Sequence, residues 1–302
     1  MRYLLSMNSS DTLVSVCLIT YNHVNFISRA IESILEQKTD FEWNLIIADD
    51  NSTDGTKDIL VKYKDKYPDK IILLLQPTNV GAEKNFLQLI NYPQSKYIAY
   101  LEGDDFWINP YRLKKQVSIL EQNPELSLVY GKNKLVNKDG EFVKYKERHF
   151  KGGFIFNDIL LHNFLPPLPA ALMRNEEVKK AYRTPKANGS DIYLMLELTK
   201  NKEVAFLDEY LFAYRRNPDS ITSTQQQEVF ALFNKTLSLY ATEYPELVKK
   251  GRRNGKRMVT YLLADINPSF KNLLLLLRNW NFSAIYFRQL IKLLLRSFKL
   301  YR

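Results

Sequence analysis

The sequence predicts an α/β fold, a mostly parallel sheet with helices on both faces, followed by a helical C-terminal extension. Three observations carry that reading. Short apolar runs alternate with segments of helical period from Val14 to Leu120. The resulting β-α-β-α-β-α-β order favours parallel strands joined by helical crossovers. Beyond Leu126 the pattern changes to short strands, and from Gln225 onward to helix.

Each element has its own signal. Val14–Thr20 is a continuous apolar run, as expected of a strand covered on both faces. Asn25–Gln37 sets Phe26, Ala30, Ile31, Ile34 and Leu35 at helical spacing. Trp43–Ala48 is a second strand, and Asp54–Tyr67 a helix with Asp54 as its N-cap. Ile71–Leu75 is a third strand, Ala82–Ile90 a helix and Tyr97–Leu101 a fourth strand. Pro110–Leu120 is a helix entered through proline. Leu126–Tyr130, Leu135–Val136 and Phe142–Tyr145 read as short antiparallel strands, with Asp139-Gly140 at a hairpin turn. Asp191–Leu198 reads as a helix, and Val204–Leu207 and Tyr210–Tyr214 as two strands.

The 302 residues are 45% hydrophobic and 25% charged, which fits one large globular domain with a modest extension. The net charge of +10 points to an anionic partner: nucleic acid, a phosphate-bearing ligand or an anionic membrane. The single cysteine, Cys17, excludes an intrachain disulfide and a cysteine-rich metal site. The histidines His23, His149 and His162 lack any zinc-binding spacing. No secretion signal and no apolar stretch of bilayer length is present, so a cytoplasmic chain is expected.

In open α/β sheets ligands bind at the carboxyl ends of the strands. Thr20-Tyr21-Asn22 follows the first strand and Asp49-Asp50-Asn51-Ser52-Thr53-Asp54-Gly55 the second. Asn79-Val80-Gly81, with Lys84 and Asn85, follows the third, and Glu102-Gly103-Asp104-Asp105 the fourth. Carboxylates gathered at one rim repel one another and call for a cation or a hydrogen-bonding ligand. Residues two apart on an extended segment point the same way, so Glu102 and Asp104 can face one ligand. Their hard oxygens suit Mg²⁺ or Mn²⁺, and Gly103 leaves room for a bulky group. The same acids also fit solvated turns and helix caps, Asp105 included. No G-x-G-x-x-G follows the first strand, which disfavours a dehydrogenase.

Taken together, these segments resemble the glycosyltransferases of family two, which have the GT-A fold. The resemblance rests on Val14-Ser15-Val16-Cys17-Leu18-Ile19-Thr20-Tyr21-Asn22 and on Ala48-Asp49-Asp50-Asn51-Ser52-Thr53-Asp54-Gly55-Thr56. It rests further on Asn79-Val80-Gly81 and on Leu101-Glu102-Gly103-Asp104-Asp105-Phe106-Trp107, in the family's order and spacing over residues 13–120. The resemblance implies that Thr20 and Tyr21 meet the nucleoside, with Asp50 on its base and Lys84 on a phosphate. Glu102, Gly103 and Asp104 fill the family's D-x-D motif, with Asp104 closest to a Mn²⁺ or Mg²⁺ ion, Glu102 as its partner and Asp105 near the donor sugar. Glu102 departs from the family's first Asp and reaches further.

Asn188-Gly189-Ser190-Asp191-Ile192-Tyr193-Leu194-Met195 resembles the family's catalytic-base element, with Asp191 as base; the alternative is a helix cap. Tyr214-Arg215-Arg216-Asn217 resembles a Tyr-Arg-x-His element that closes over the diphosphate. Here Asn217 replaces the usual histidine, while Arg215 remains a phosphate candidate. Asn163-Phe164-Leu165-Pro166-Pro167-Leu168-Pro169 reads as a stiff structural loop.

No acid follows Asp265, and Ser283–Tyr301 sets Ile285, Phe287, Leu290, Ile291, Leu294, Leu295 and Phe298 largely on one side of a basic helix. Such a helix lies in an anionic membrane interface or packs on the domain or a partner subunit. The chain is thus expected to transfer a sugar, with inversion, from a nucleotide-sugar donor, UDP first, to a glycan or lipid-linked acceptor. Residues 12–222 form the GT-A domain, with a nucleotide half over 12–125 and an acceptor half over 126–222, and residues 223–302 the helical region. The alternatives are a nucleotide-sugar-binding protein without activity and a basic nucleic-acid-binding protein; acids at the rim argue against nucleic acid. Peripheral membrane contact through the tail is expected, and a homodimer stays open.

Overall fold

Apolar sequence decides where the sheet begins. Strand β1 (Val14–Thr20) lies between β2 (Trp43–Asp49) and β4 (Tyr97–Glu102), with β3 (Ile71–Leu75) outside β2, all four parallel. Val14, Val16, Cys17, Leu18, Leu45, Ile47, Ala99 and Leu101 are fully buried, because residues of both faces are apolar and both faces are covered. Beyond β4 come β8 (Leu172–Arg174), β6 (Leu128–Val136), β9 (Ala205–Arg215) and β5 (Phe106–Trp107), and β7 (Phe142–Val143) pairs with β6. β8 runs antiparallel to both β4 and β6, whereas β6 and β9 are parallel. The computed structural model describes residues 12–144, 150–162, 165–184, 189–216 and 226–254.

The helices are α1 (Ile27–Leu35), α2 (Thr56–Lys66), α3 (Ala82–Asn91), α4 (Arg112–Gln122), α5 (Phe156–His162), α6 (Asn175–Tyr182), α7 (Asp191–Thr199) and α8 (Gln226–Ser238). α3 packs on β1 and β2, α2 on β3, α1 on β5 and α4 on β6. Helix α1 buries Ile27, Ala30, Ile31 and Ile34 and leaves its polar side outward.

Two expectations shift. α2 begins at Thr56, not Asp54, because Gly55 takes a left-handed conformation (φ +99°) before the first turn. Asp54 still serves that turn from outside it, accepting from the Thr56 backbone N–H (2.9 Å) and hydroxyl (2.6 Å). The two short strands expected before and after Lys132-Asn133-Lys134 are one strand, β6, since β9 continues the ladder beside it through irregularities at Gly131–Asn133. β9 likewise joins the two strands expected over 204–214.

α4 opens on a buried charge. The Arg112 guanidinium lies 4.0 Å over the Trp107 ring and donates to the carbonyls of Pro169 (2.5 Å) and Ala171 (3.2 Å). Burial pushes its pKa down to about 9. It fastens the turn Leu168–Ala170 to the strand that follows the acidic loop.

Among the described residues, those up to Phe156 and those from Leu165 to 216 form one compact unit. Residues 157–162 and 226–254 form a second, in which Asn254 Nδ2 donates to the Leu161 carbonyl at 2.6 Å. No helix of the described residues is long and apolar enough to cross a membrane. The basic segment 265–302 and Asn217 lie outside the described residues.

Candidate active site

The register of the central strands brings three sequence motifs to one level. Thr20 is opposite Asp49, and Ile19 is opposite Glu102. The Asp50 N–H donates to the Thr20 carbonyl at 3.1 Å, and the Gly103 N–H to the Ile19 carbonyl at 2.9 Å. Thr20 therefore stands between the two acidic loops. The chain leaves β1 on one side toward β2, and β4 lies on the other, which is the crevice where open α/β sheets bind ligands.

Side chains lace the loops after β1 and β2 together. The N–H groups of Asn22, His23 and Val24 donate to Ser52 Oγ, Thr56 Oγ1 and Asp54 Oδ2, each at 2.9 Å. Asn22 returns the contact, its Oδ1 accepting from the Thr53 N–H at 2.9 Å. Asp49 is fully buried and accepts from both the N–H (3.0 Å) and the hydroxyl of Ser52. Asp50 grips the turn after β3, accepting from the N–H groups of Val80 (2.7 Å) and Gly81 (3.0 Å). Tyr21 is 44% exposed, so its ring is open to a ligand. Lys84 is exposed on the first turn of α3 and has no partner among the described residues.

The loop after β4 is built differently. A β-carbon on Gly103 would stand 2.7 Å from both His23 Nδ1 and Thr20 Oγ1, so only glycine lets the acidic loop lie against the β1 loop. Thr20 Oγ1 and His23 Nδ1 are themselves 3.2 Å apart. Asp105 is buried rather than capping a helix; its Oδ1 accepts from the Arg215 N–H at 2.7 Å, while its Oδ2 has no partner. Arg215 then ties the loop to the β6–β7 turn, donating from Nε to the Asp104 carbonyl and from Nη1 to the Lys138 carbonyl, each at 2.7 Å.

Asp191 arrives from α7, far along the chain. Gly189 presses against α3, where its N–H donates to Glu83 Oε1 at 3.2 Å and a β-carbon would meet the Glu83 carbonyl at 2.9 Å. Ser190, not Asp191, caps α7, accepting from the Tyr193 N–H at 3.1 Å. Tyr193 in turn donates to the Ala181 carbonyl at 2.8 Å, which seats α7 on α6. Asp191, relieved of capping, is exposed, and its carboxylate accepts from the Ile192 N–H at 2.8 Å.

The electrostatics show that Glu102, Asp104 and Asp191 share one field. Burial pushes the Glu102 carboxyl up to about 8, with the charges of Asp104 and then Asp191 adding to it and Tyr100 opposing. Asp105 is held well above the usual carboxylate range by burial and then by Glu102 and Asp104. Asp191 is raised as well, because the surrounding protein desolvates it; its backbone hydrogen bonds oppose the rise. The Tyr100 hydroxyl, on the strand two residues before Glu102, lies in the same field of four carboxylates.

Sequence reasoning passed over three residues here. His23 was read only as lacking zinc spacing; its ring lies against Gly103, with burial lowering its pKa and Asp104, Asp54 and Asp49 opposing. Its place three residues after Thr20 was the available signal. Tyr100 and Arg29 belong to apolar and helical patterns that gave none.

A divalent ion suits this donor set. The oxygens of Asp104 and Glu102 are hard ligands, and the raised proton affinity of Glu102 marks a place short of positive charge. Among the described residues no three acidic, histidine or cysteine side chains are set to hold an ion unaided. Mg²⁺ or Mn²⁺ held by Asp104 and Glu102 would complete its shell with phosphate and water.

Comparison with known proteins agrees with this geometry. The uncharacterized protein Rv1520 of Mycobacterium tuberculosis is 30% identical over 211 residues, covering 69% of this chain and 60% of the relative. The chain thus spans less than two thirds of the length of that curated relative. The Escherichia coli UDP-Glc:alpha-D-GlcNAc-diphosphoundecaprenol beta-1,3-glucosyltransferase WfgD is 28% identical over 224 residues, 72% of this chain and 83% of its own. TarS of S. aureus, crystallised with UDP-GlcNAc, superposes with a TM-score of 0.63 at 17% identity, over 89% of this chain and 79% of its own. The mannosyltransferase PcManGT from Pyrobaculum calidifontis, in complex with GDP-Man and Mn²⁺, does so with 0.58 at 13% identity, over 97% and 87%. These structures share the GT-A fold with this chain. The model of glycosyl transferase family 2 matches residues 15–219, from the start of β1 to just beyond β9 and so through every motif of the rim, and the chain belongs to that family.

Proposed function

We propose that the chain is an inverting, metal-dependent glycosyltransferase that moves a sugar from a nucleotide diphosphate to a hydroxyl of a glycan or lipid-linked acceptor. UDP is the preferred nucleotide, and surface-polysaccharide synthesis the setting. The observation that supports it most is Asp191, brought from α7 into the field of Glu102 and Asp104 at the sheet's crevice. The names of the relatives point the same way. WfgD is named for UDP-Glc and a lipid-diphosphate acceptor, and TarS was crystallised with UDP-GlcNAc.

In this reading Tyr21 lies against the base and Thr20 beside the nucleoside. Asp50, whose two oxygens already hold Val80 and Gly81, keeps lone pairs for a base N–H. Asp104 and Glu102 would hold the ion, Lys84 and Arg215 would approach the phosphates, and Asp105 would set the loop beside the donor sugar. The ion, when bound, neutralises the diphosphate that leaves. Asp191 takes the proton of the acceptor hydroxyl as it attacks; its raised pKa brings it closer to the range of an effective base. One base without a covalent intermediate gives inversion. Residues 12–222 make up the transferase domain in this reading. The basic tail beyond them serves a cytoplasmic membrane face that presents the lipid-linked acceptor.

The test is calorimetric titration of UDP, GDP and dTDP, each with and without Mn²⁺, into the full chain and into Asp104→Ala. Metal-dependent binding of one nucleotide, weakened about tenfold or more by the substitution, is the expected result. Indifference of every nucleotide to Mn²⁺ would sink the reading.

A further inference from the structure

Arg29 and Arg215 converge in a way that neither residue's own contacts explain. Arg29 projects from α1, and its guanidinium carbon lies 3.5 Å from the centre of the Phe106 ring. Arg215, at the end of β9, has its own guanidinium carbon 4.6 Å from the centre of the Phe26 ring and 5.7 Å from that of Phe106. The two meet at Gly140, in the turn between β6 and β7, which has φ +84°. Arg29 Nη1 occupies the side of Gly140 where a β-carbon would stand, and Arg215 Nη1 is 3.5 Å from that same point. Any other residue at 140 would fill the space where the guanidinium groups approach each other.

Like charges held this close repel, and a fold that places them together needs a reason. No carboxylate stands within ion-pair distance of either group among the described residues. Burial and then Arg29 push the Arg215 guanidinium below its usual range, and Asp104, Asp105 and Asp139 oppose that from further away. Arg215 commits Nε and Nη1 to the carbonyls of Asp104, Asn137 and Lys138, which leaves Nη2 without a partner among the described residues. Arg29 is exposed and makes no hydrogen bond with described residues. So one fixed and one free guanidinium face the same spot, each backed by an aromatic ring. Planar guanidinium forks match the oxygens of a phosphate, and two of them share its charge.

We propose that Arg29 and Arg215 form a phosphate-binding pair over Gly140. The hydrogen bond to the Asp104 carbonyl ties this pair to the loop assigned to the metal, so the phosphate belongs to a substrate of that site; this much rests on the transferase reading. The phosphate is either in the diphosphate of the donor or on a lipid-linked acceptor, and the chemistry that recognises it is the same.

The experiment titrates inorganic pyrophosphate into the full chain without metal, then with UDP and Mn²⁺ at saturation, using wild type and Arg29→Gln. Arg29 is a surface residue of α1, so the variant should keep its melting temperature. The expected result is a loss of pyrophosphate affinity of about tenfold or more in the variant, the scale of a charge-assisted contact. If UDP with Mn²⁺ displaces pyrophosphate and the variant also binds UDP more weakly, the phosphate is the donor's. If pyrophosphate still binds beside saturating UDP, it is the acceptor's. Equal affinity of wild type and variant for both pyrophosphate and UDP would overturn the proposal. A wild type that binds pyrophosphate but not UDP would instead count against the transferase reading alone.

Discussion

Two groups of acids sit at the same rim of one sheet and live in opposite circumstances. Asp49, Asp50 and Asp54, after β2, are met by N–H and hydroxyl donors at nearly every oxygen. Burial works to raise Asp54, yet the Thr56 hydroxyl and the N–H groups of Val24 and Thr56 hold it below the usual range. Glu102, Asp104 and Asp191 share one field: burial and then the charges of Asp104 and Asp191 raise Glu102, and burial raises Asp191 against its backbone hydrogen bonds. The first group is finished chemistry: its charges fix loops. The second is unfinished and gains by taking up a cation, releasing a proton or accepting one. A run of acids in a sequence does not distinguish these cases, because the difference lies in the donors that folding brings.

The contrast is broken or sharpened most strongly at Asp191. Asp191→Asn keeps the shape, and Ser190 still caps α7. Transfer should fall by about 10²-fold or more, the scale of a lost general base, while UDP binding with Mn²⁺ stays the same. Near-normal transfer would move the base to another group. Equal loss of binding and transfer would mean that Asp191 belongs to the donor site instead.

The next effect is a pH dependence. The folded chain holds a proton on Glu102 up to about 8, against 4.5 for the free side chain. A raised folded pKa contributes stability that is full below about 4.5 and is lost as pH rises through about 8. Metal-free wild type should therefore lose more stability across that window than Glu102→Gln, whose amide does not ionise. Stabilisation by Mn²⁺ with UDP should grow with pH over the same window, since an ion binds the ionised carboxylate. Melting temperatures at several pH values give both slopes. Identical slopes for the two proteins would place the proton on another acid, Asp105 or Asp191.

The parts of this arrangement that the sequence made legible are those carried by neighbours in the chain. The apolar run Val14–Thr20 and the acids after Trp43–Ala48 and Tyr97–Leu101 predict both strands and rim, since register places strand ends together. Asp191 came only through resemblance, because a cap and a base look alike before Ile192. What separates them is Ser190 taking the cap, a matter of hydrogen-bond geometry. Arg215 was expected on a phosphate, and its donation to the Asp104 and Lys138 carbonyls was not visible, because backbone acceptors have no sequence signature. Lys132-Asn133-Lys134 interrupted the apolar pattern of β6, yet pairing with β9 keeps it one strand.

Asp50 offers the smallest effect and the cleanest contrast with Asp104. Asp50→Ala leaves the Val80 N–H without its acceptor and leaves the Gly81 N–H with Asn79 Oδ1 alone, at 3.1 Å. Buried and unsatisfied, such groups cost about 1–3 kcal/mol each. Both residues are half-buried, so water reaches them and the loss should stay near the low end of that scale. A thermal melt should show a modest drop. The turn after β3 would loosen beside the nucleoside, so UDP should bind more weakly with and without Mn²⁺ alike. Asp104→Ala should instead remove the advantage that Mn²⁺ confers. If Asp50→Ala also abolished the response to Mn²⁺, the acids after β2 and β4 would form a single ion site, and the division drawn between satisfied and unsatisfied carboxylates would be wrong.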